Sequence, residues 1–281
     1  MREVIPYRSI VFYDQLGCGR SSVQVGQVDP NTNNDNNNNN INIHSKEEEE
    51  AQLYSIESSL DDLELLIQKS GLTRFHLYGQ SFGGILAFEY MKRIAERNNN
   101  DNNSSRIKCL SAILSSTPCD DDQVESVAKN LIDTLLEEDS DESTVMDRFQ
   151  ARHVCRTTTV DEKGKQKYKQ PPPLAEAYEN NPGTPGMWRG TDSIPGWGGW
   201  TATPPKDTAS RMPSCMILHG EYDFVTADCV QGWKKQKRKK DNDDDAADDR
   251  SIFNHPYVRV KELEHLSHHG LLEDGKRYGE I

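Results

Sequence analysis

The chain has 281 residues and a formal net charge of −13 at pH 7, with 33 Lys and Arg against 46 Asp and Glu. This acidic balance disfavours a general nucleic-acid-binding role, because such proteins present a basic surface to phosphates. No apolar run approaches the ~18 residues of a membrane span, and the first residues lead into a predicted strand instead of a signal peptide.

The first predicted element is a strand at residues 9–13, whose sequence Ser-Ile-Val-Phe-Tyr is a continuous apolar run. Such a run is typical of a parallel strand covered on both faces. Residues 14–21 follow as a loop, and their two glycines indicate a tight turn. Residues 30–50 combine an asparagine run with a glutamate run, a composition that cannot form a core and predicts a disordered insertion.

A regular alternation of helix and strand comes next. Apolar residues spaced three or four apart from 53 to 67 predict an amphipathic helix that ends at Gly71. A short strand, a glycine-rich turn around Ser81 and a second apolar helix follow. Residues 97–105 form another asparagine-rich stretch, predicted as a second disordered insertion, and 107–114 a further strand. This order is typical of a parallel sheet with crossover helices.

The alternation is interrupted from residue 119 to about residue 210. Two amphipathic helices, with apolar positions over 124–135 and 146–154, lead into a segment rich in Gly, Pro and Trp. We interpret 119–210 as a helical lid, inserted between two parts of the sheet-containing core at 1–118 and 211–281. The tryptophans could equally line a pocket or fill a core.

The sheet pattern resumes at residues 215–219 and ends with a strand at 258–263 and a final helix. Between these two strands, residues 234–249 carry a basic run and then an acidic run. The two runs balance each other, so we interpret them as a third, solvated insertion and not as a nuclear-localisation signal.

The Gly-Gln-Ser-Phe-Gly sequence at residues 79–83 lies between a predicted strand and a predicted helix. G-x-S-x-G in that setting is the nucleophile elbow of α/β hydrolases, where a strained turn exposes a serine. Acyl transfer by serine also needs a base and a carboxylate, which in this fold follow in the order Ser, Asp or Glu, His. Ser81, Asp223 and His268 stand in that order, each just after a predicted strand.

Both partners of Ser81 have competitors. Glu221 is an alternative acid, although Asp223 lies deeper in the loop, and His265 and His269 compete with His268 as the base. No cluster of His, Cys and Asp has metal-ligand spacing, so neither a metal nor another cofactor is predicted. The six cysteines are scattered, which predicts free thiols in a reducing compartment and hence a cytoplasmic protein.

At these residues the chain resembles the proline iminopeptidases and the related tricorn-interacting aminopeptidases, serine peptidases of the α/β-hydrolase fold. Five segments carry the resemblance: 13–21, 79–84, 152–156, 220–223 and 267–274. It implies release of N-terminal proline or another small residue from peptides. The closing Ser-His motif selects His268 as the base, and the elbow makes the Phe82 backbone N–H an oxyanion donor. The predicted substrate-binding residues are Gln80, Asp192, Trp200 and Phe224.

Three departures from this family leave alternatives open. No His-Gly-Gly-Pro segment precedes residue 13, so we expect a fold that is incomplete at its N-terminus. Phe224 stands where the family often has an acidic residue that binds the substrate's α-amine, and Asp192 is only a neighbour of the position of a lid glutamate. An esterase or amidase acting on uncharged substrates, or a non-catalytic hydrolase-like domain, is therefore the alternative. Peptides or small amides and esters are the expected partners, and the sequence does not predict the oligomeric state.

Overall fold

A sheet of four parallel strands organises the chain. The computed structural model describes residues 9–16, 21, 55–100, 107–160, 166–168, 199–205, 212–233 and 258–281. In order across the sheet, the strands are β1 (Arg74–Gln80), β2 (Lys108–Ser115), β5 (Ser214–Gly220) and β6 (Val258–Leu263). Adjacent strands are parallel throughout, so their carboxyl ends lie at one edge. A separate antiparallel pair consists of β3 (Thr158–Val160) and β4 (Gln166–Tyr168).

Helices connect and cover these strands. They are α1 (Ile56–Lys69), α2 (Phe82–Asn100), α3 (Asp121–Glu138), α4 (Val145–Phe149), a π-helix (Gln150–Val154) that continues α4, α5 (Ala227–Gln231), α6 (Gly270–Glu273) and α7 (Gly275–Gly279). A short 3₁₀ turn occupies Glu142–Thr144. In the described part of the chain, no helix is long and apolar enough to cross a membrane.

Helix α1 forms where the apolar spacing predicted it. Ser55 caps its first turn by accepting a hydrogen bond from the Ser58 backbone N–H at 3.2 Å. Leu60, Leu63 and Ile67 are its buried side chains, and they pack against α2. Gly71 has φ +65°, a left-handed conformation that favours glycine, and it lies just past the helix end as predicted.

The main core lies between α2 and the strands β2 and β5. It includes Phe88 and Met91 of α2, Leu114 of β2 and Ile217 of β5, all of them fully buried. Trp233 closes this core, and its indole N–H donates to the Thr117 carbonyl at 2.9 Å. Because this core packs against both α2 and the loop after β2, it holds the carboxyl edge of the sheet in place.

The predicted lid begins with α3, α4 and the π-helix, which share a small core of their own. Leu135, Val145, Phe149 and Val154 are its buried members. The Arg148 guanidinium donates to the carbonyls of Leu135, Asp139 and Asp141, which lie at or just beyond the end of α3. The Leu135 and Asp141 carbonyls also accept the backbone N–H groups of Asp139 and Thr144, so Arg148 adds a further donor to each of them. The division of the chain into core and lid remains a prediction.

Two sequence predictions are corrected by the structure. Residues 9–13 form no strand, and Val11 and Phe12 expose 52% and 76% of their surface. No described strand pairs with this run, and a strand cannot persist without a partner for its backbone groups. The predicted insertion at 97–105 is helical as far as Asn100, because an existing helix gains one hydrogen bond for each residue it adds. The predicted insertions at 30–50 and 234–249 lie outside the described residues.

Candidate active site

The turn between β1 and α2 holds Ser81 in a strained conformation. Its φ is +52°, in the left-handed region that a serine rarely adopts. A Cβ on Gly79 would lie 2.1 Å from the Gly83 carbonyl oxygen, and one on Gly84 would lie 1.8 Å from Thr117 Oγ1. Glycine is thus required at both positions for the chain to turn this sharply. The Ser81 backbone N–H donates to the Ser115 carbonyl of the neighbouring strand end at 2.8 Å, which ties the turn to the sheet.

The strained backbone conformations lie at this carboxyl edge of the sheet. Among the described residues, three that are not glycine have positive φ, namely Ser81 (+52°), Ser116 (+49°) and His265 (+65°). They follow the ends of β1, β2 and β6, respectively. Strained backbone of this kind is often found at functional sites, because the surrounding structure must hold it.

The loops after β5 and β6 bring an acid and a base together. His268 Nδ1 lies 2.9 Å from Asp223 Oδ1, and the two side chains are 1% and 0% exposed. Asp223 Oδ1 also accepts the Val225 backbone N–H at 2.8 Å. A carboxylate only accepts hydrogen bonds, so we assign the proton to His268 Nδ1, which leaves Nε2 with a lone pair in the neutral ring.

The alternative acid and bases occupy other positions. Glu221 Oε2 accepts the His265 backbone N–H at 2.8 Å, and the His265 side chain is 72% exposed. His269 Nδ1 lies 2.8 Å from the Gln80 side-chain nitrogen. Of the three histidines, His268 is therefore the one paired with a buried carboxylate.

The main chain of His268 is held from two sides. Its carbonyl oxygen lies 2.7 Å from Gln80 Nε2 and 3.1 Å from Ser116 Oγ. Its backbone N–H donates to the His153 carbonyl of the π-helix at 3.2 Å. The Glu273 carboxylate accepts the backbone N–H and the hydroxyl of Ser267, which fixes the residue before His268.

Aromatic rings cover the imidazole. The Phe224 ring stacks on His268, with a centroid distance of 4.2 Å and an angle of 25° between the planes. The Phe149 ring of α4 lies near two other rings. Its centroid is 5.9 Å from that of Phe224 and 5.3 Å from that of His153. Burial lowers the pKa of His153, whose Nδ1 lies 2.8 Å from the Tyr222 carbonyl. The predicted lid thus contacts His268 through Phe224.

The predicted substrate-binding residues are dispersed. Gln80 and Phe224 contact His268, whereas the Trp200 ring packs against Phe88 and Trp233 at 6.2 and 6.3 Å. The Trp200 indole N–H donates to a Glu89 oxygen at 3.2 Å. Asp192 lies outside the described residues. A substrate-binding role stays a prediction for all four.

The predicted nucleophile Ser81 and the predicted base His268 are not hydrogen-bonded to each other. In the described part of the chain, no hydrogen bond joins Ser81 Oγ to His268. Such bonds are often long until substrate binds.

Phe82 is the first residue of α2, and the N–H groups of a helix's first turn are well oriented to bind an anion. Across the described ranges, no three His, Cys, Asp or Glu side chains group as metal ligands.

Comparison with known proteins identifies relatives in sequence. The family profile described as the alpha/beta hydrolase fold matches residues 8–248. Over 84 residues, 30% of this chain, the sequence is 34% identical to the proline iminopeptidase of Lactobacillus helveticus (strain DPC 4571). That alignment covers 21% of the relative, so the match spans about a fifth of the relative's length.

Solved structures share the fold at low sequence identity. The proline iminopeptidase of Mycobacterium smegmatis superposes with a TM-score of 0.56 and 18% identity, over 82% of this chain and 70% of that one. The protein VinJ superposes with a TM-score of 0.53 and 19% identity, over 83% of this chain and 73% of its own. At these identities the likeness is one of fold.

Proposed function

Because the chain belongs to the α/β-hydrolase family, we propose that it is a serine hydrolase with Ser81 as nucleophile, His268 as base and Asp223 as the orienting acid. The observation that carries the proposal is the buried 2.9 Å contact between His268 Nδ1 and Asp223 Oδ1. It lies at the carboxyl edge of the sheet, where the Ser81 turn also lies.

In the proposed reaction, Ser81 Oγ attacks the substrate carbonyl carbon while His268 Nε2 takes its proton. Asp223 stabilises the imidazolium that forms, and the Phe82 backbone N–H donates to the oxyanion. The tetrahedral intermediate collapses to an acyl-Ser81 ester, and His268 gives its proton to the leaving amine or alcohol. A water molecule, deprotonated by His268, then hydrolyses the ester and restores Ser81.

For the substrate we propose a peptide with N-terminal proline or another small residue. The support is the 34% identity to a proline iminopeptidase, over 84 residues. An esterase or amidase acting on uncharged compounds is the second candidate, and Phe224 favours it. This apolar ring stacks on His268, and an apolar side chain cannot neutralise the charged α-amine of a peptide.

Labelling with a fluorophosphonate tests the serine mechanism. We expect the wild type and the control Ser140→Ala, an exposed loop position, to be labelled equally. Ser81→Ala should not be labelled, because the probe forms its bond to the nucleophile oxygen. An unlabelled wild type, or a labelled Ser81→Ala, contradicts the proposal and favours a non-catalytic hydrolase-like domain.

Two chromogenic amides and an ester separate the candidate substrates. An aminopeptidase should cleave proline 4-nitroanilide and reject the N-acetylated form, because acetylation removes the charged amine. An esterase or amidase should cleave 4-nitrophenyl butyrate and show no preference for a free amine.

We also propose a cytoplasmic location, supported by the free thiols of all five described cysteines. Cells lysed directly into denaturant with an alkylating reagent should yield these cysteines alkylated, and none of them in a disulfide.

A further inference from the structure

One side chain connects the nucleophile's strand to the loop of the base. Gln80 is the last residue of β1 and directly precedes Ser81. Its side-chain nitrogen lies 2.7 Å from the His268 carbonyl oxygen and 2.8 Å from His269 Nδ1. An amide nitrogen carries two hydrogens, so Gln80 can donate both bonds at once.

The neighbours of Gln80 determine which way its amide points. The His268 carbonyl can only accept, so the amide nitrogen, and not the amide oxygen, has to face it. The same nitrogen then needs a lone pair on His269 Nδ1, which requires a neutral His269 ring with its proton on Nε2. Burial, and secondarily the charge of His268, lowers the pKa of His269 to about 3, so the ring is neutral at physiological pH.

The bond to the carbonyl acts on the base itself. The whole His268 residue is 1% exposed, so solvent cannot substitute for a lost donor to its carbonyl. Ser116 Oγ is the other donor to this oxygen, at 3.1 Å, and it comes from the end of the adjacent strand β2. Two strand ends thus fix the carbonyl of the catalytic histidine, while Asp223 fixes its ring.

We propose that Gln80 is a positioning residue that sets His268 in register with Ser81 by clamping the His268 carbonyl and the His269 ring. The inference rests on the proposed serine mechanism and extends it to a residue outside the triad. Both amide hydrogens are engaged, so Gln80 has only its amide oxygen left to offer a substrate. Its contribution is therefore to the rate of the chemical step.

The test compares Gln80→Met with Gln68→Met. Methionine keeps the length of the side chain and removes both donors, and Gln68 is an exposed glutamine on α1 that serves as the matched control. The measurements are kcat and KM for 4-nitrophenyl esters of two acyl lengths. We expect Gln80→Met to lower kcat by about 10- to 100-fold, as for other misplaced catalytic groups. KM should stay unchanged, and kcat should fall by the same factor for both esters. Gln68→Met should change neither kcat nor KM.

Circular dichroism and the thermal midpoint establish that the variant is folded. If Gln80→Met does not fold, Ser116→Ala removes the other donor to the same carbonyl and should lower kcat in the same pattern. A raised KM with unchanged kcat would mean that Gln80 binds substrate, and unchanged values of both would mean that the clamp is not needed. Either result overturns the positioning role.

Fluorophosphonate labelling of the wild type separates the two proposals. A wild type that is not labelled refutes the serine mechanism and the positioning role with it. A labelled wild type together with a fully active Gln80→Met refutes the positioning role alone.

Discussion

The buried His269 predicts how the stability of the fold changes with pH. Its pKa is about 3 in the folded protein, chiefly because burial disfavours the charged ring, against about 6.5 when unfolded. Between these values the unfolded chain binds one proton that the folded chain does not. The free energy of unfolding therefore decreases as pH falls below 6.5, with a limiting slope of about 1.4 kcal/mol per pH unit. Between pH 8 and pH 5 this one group should remove about 2 kcal/mol.

Urea unfolding at several pH values between 8 and 5 measures this loss in three proteins. His269→Asn cannot titrate, so it should lose about 2 kcal/mol less than the wild type over this range. His265→Asn is the control, because that side chain is 72% exposed and asparagine tolerates its positive φ. Burial also lowers the pKa of His153, which is present in all three proteins and adds the same pH dependence to each. Parallel pH profiles for His269→Asn and the wild type would refute the reasoning.

Two further predictions concern the turn at Ser81 and the thiols. Gly79→Ala should abolish fluorophosphonate labelling, because its Cβ would lie 2.1 Å from the Gly83 carbonyl oxygen. Gly83→Ala, whose Cβ meets nothing within 4 Å, should keep labelling, and equal labelling of the two variants would contradict this account of the turn. Burial raises the pKa of Cys109 to about 12 and those of Cys119 and Cys155 to about 11. At about pH 8 these groups are thiols rather than the reactive thiolates, so Ellman's reagent should modify them only after unfolding. Fast modification of any of them in the native protein would contradict a pKa raised in this way.

Local patterns in the sequence were sufficient to predict most of the sheet. The last strand, predicted at 258–263, matches β6, and the strand predicted at 107–114 differs from β2 by one residue at each end. Both are bounded by changes in composition that can be read directly. The run at 9–13 has the same apolar character and yet forms no strand. Strand formation depends on a distant partner, and no local pattern reports whether that partner is present.

The three candidate triad residues could be proposed from sequence order, whereas the contacts that hold them could not. Parallel strands in register bring their following loops to one edge, so three residues after three strands were expected to converge there. The clamp joins Gln80 to His268 across 188 positions of sequence, and it depends on the direction of one amide. Phe224 is predicted to bind substrate in a place where the resembling family often has an acid, and the structure adds a contact that the sequence did not indicate, the stacking of its ring on the His268 imidazole. Contacts of this kind follow from packing and leave no periodic signal in the sequence.

The start of the predicted lid helps to hold the main chain of His268. The backbone N–H groups of His268 and His269 donate to the carbonyls of His153 and Val154, at 3.2 and 2.9 Å. The last carbonyls of a helix lack intrahelical donors, so the end of the π-helix is available to accept them. The histidine loop therefore connects β1 and β2 on one side with the lid on the other. Because these two hydrogen bonds join the segments, we expect a displacement of the π-helix to move the main chain of His268.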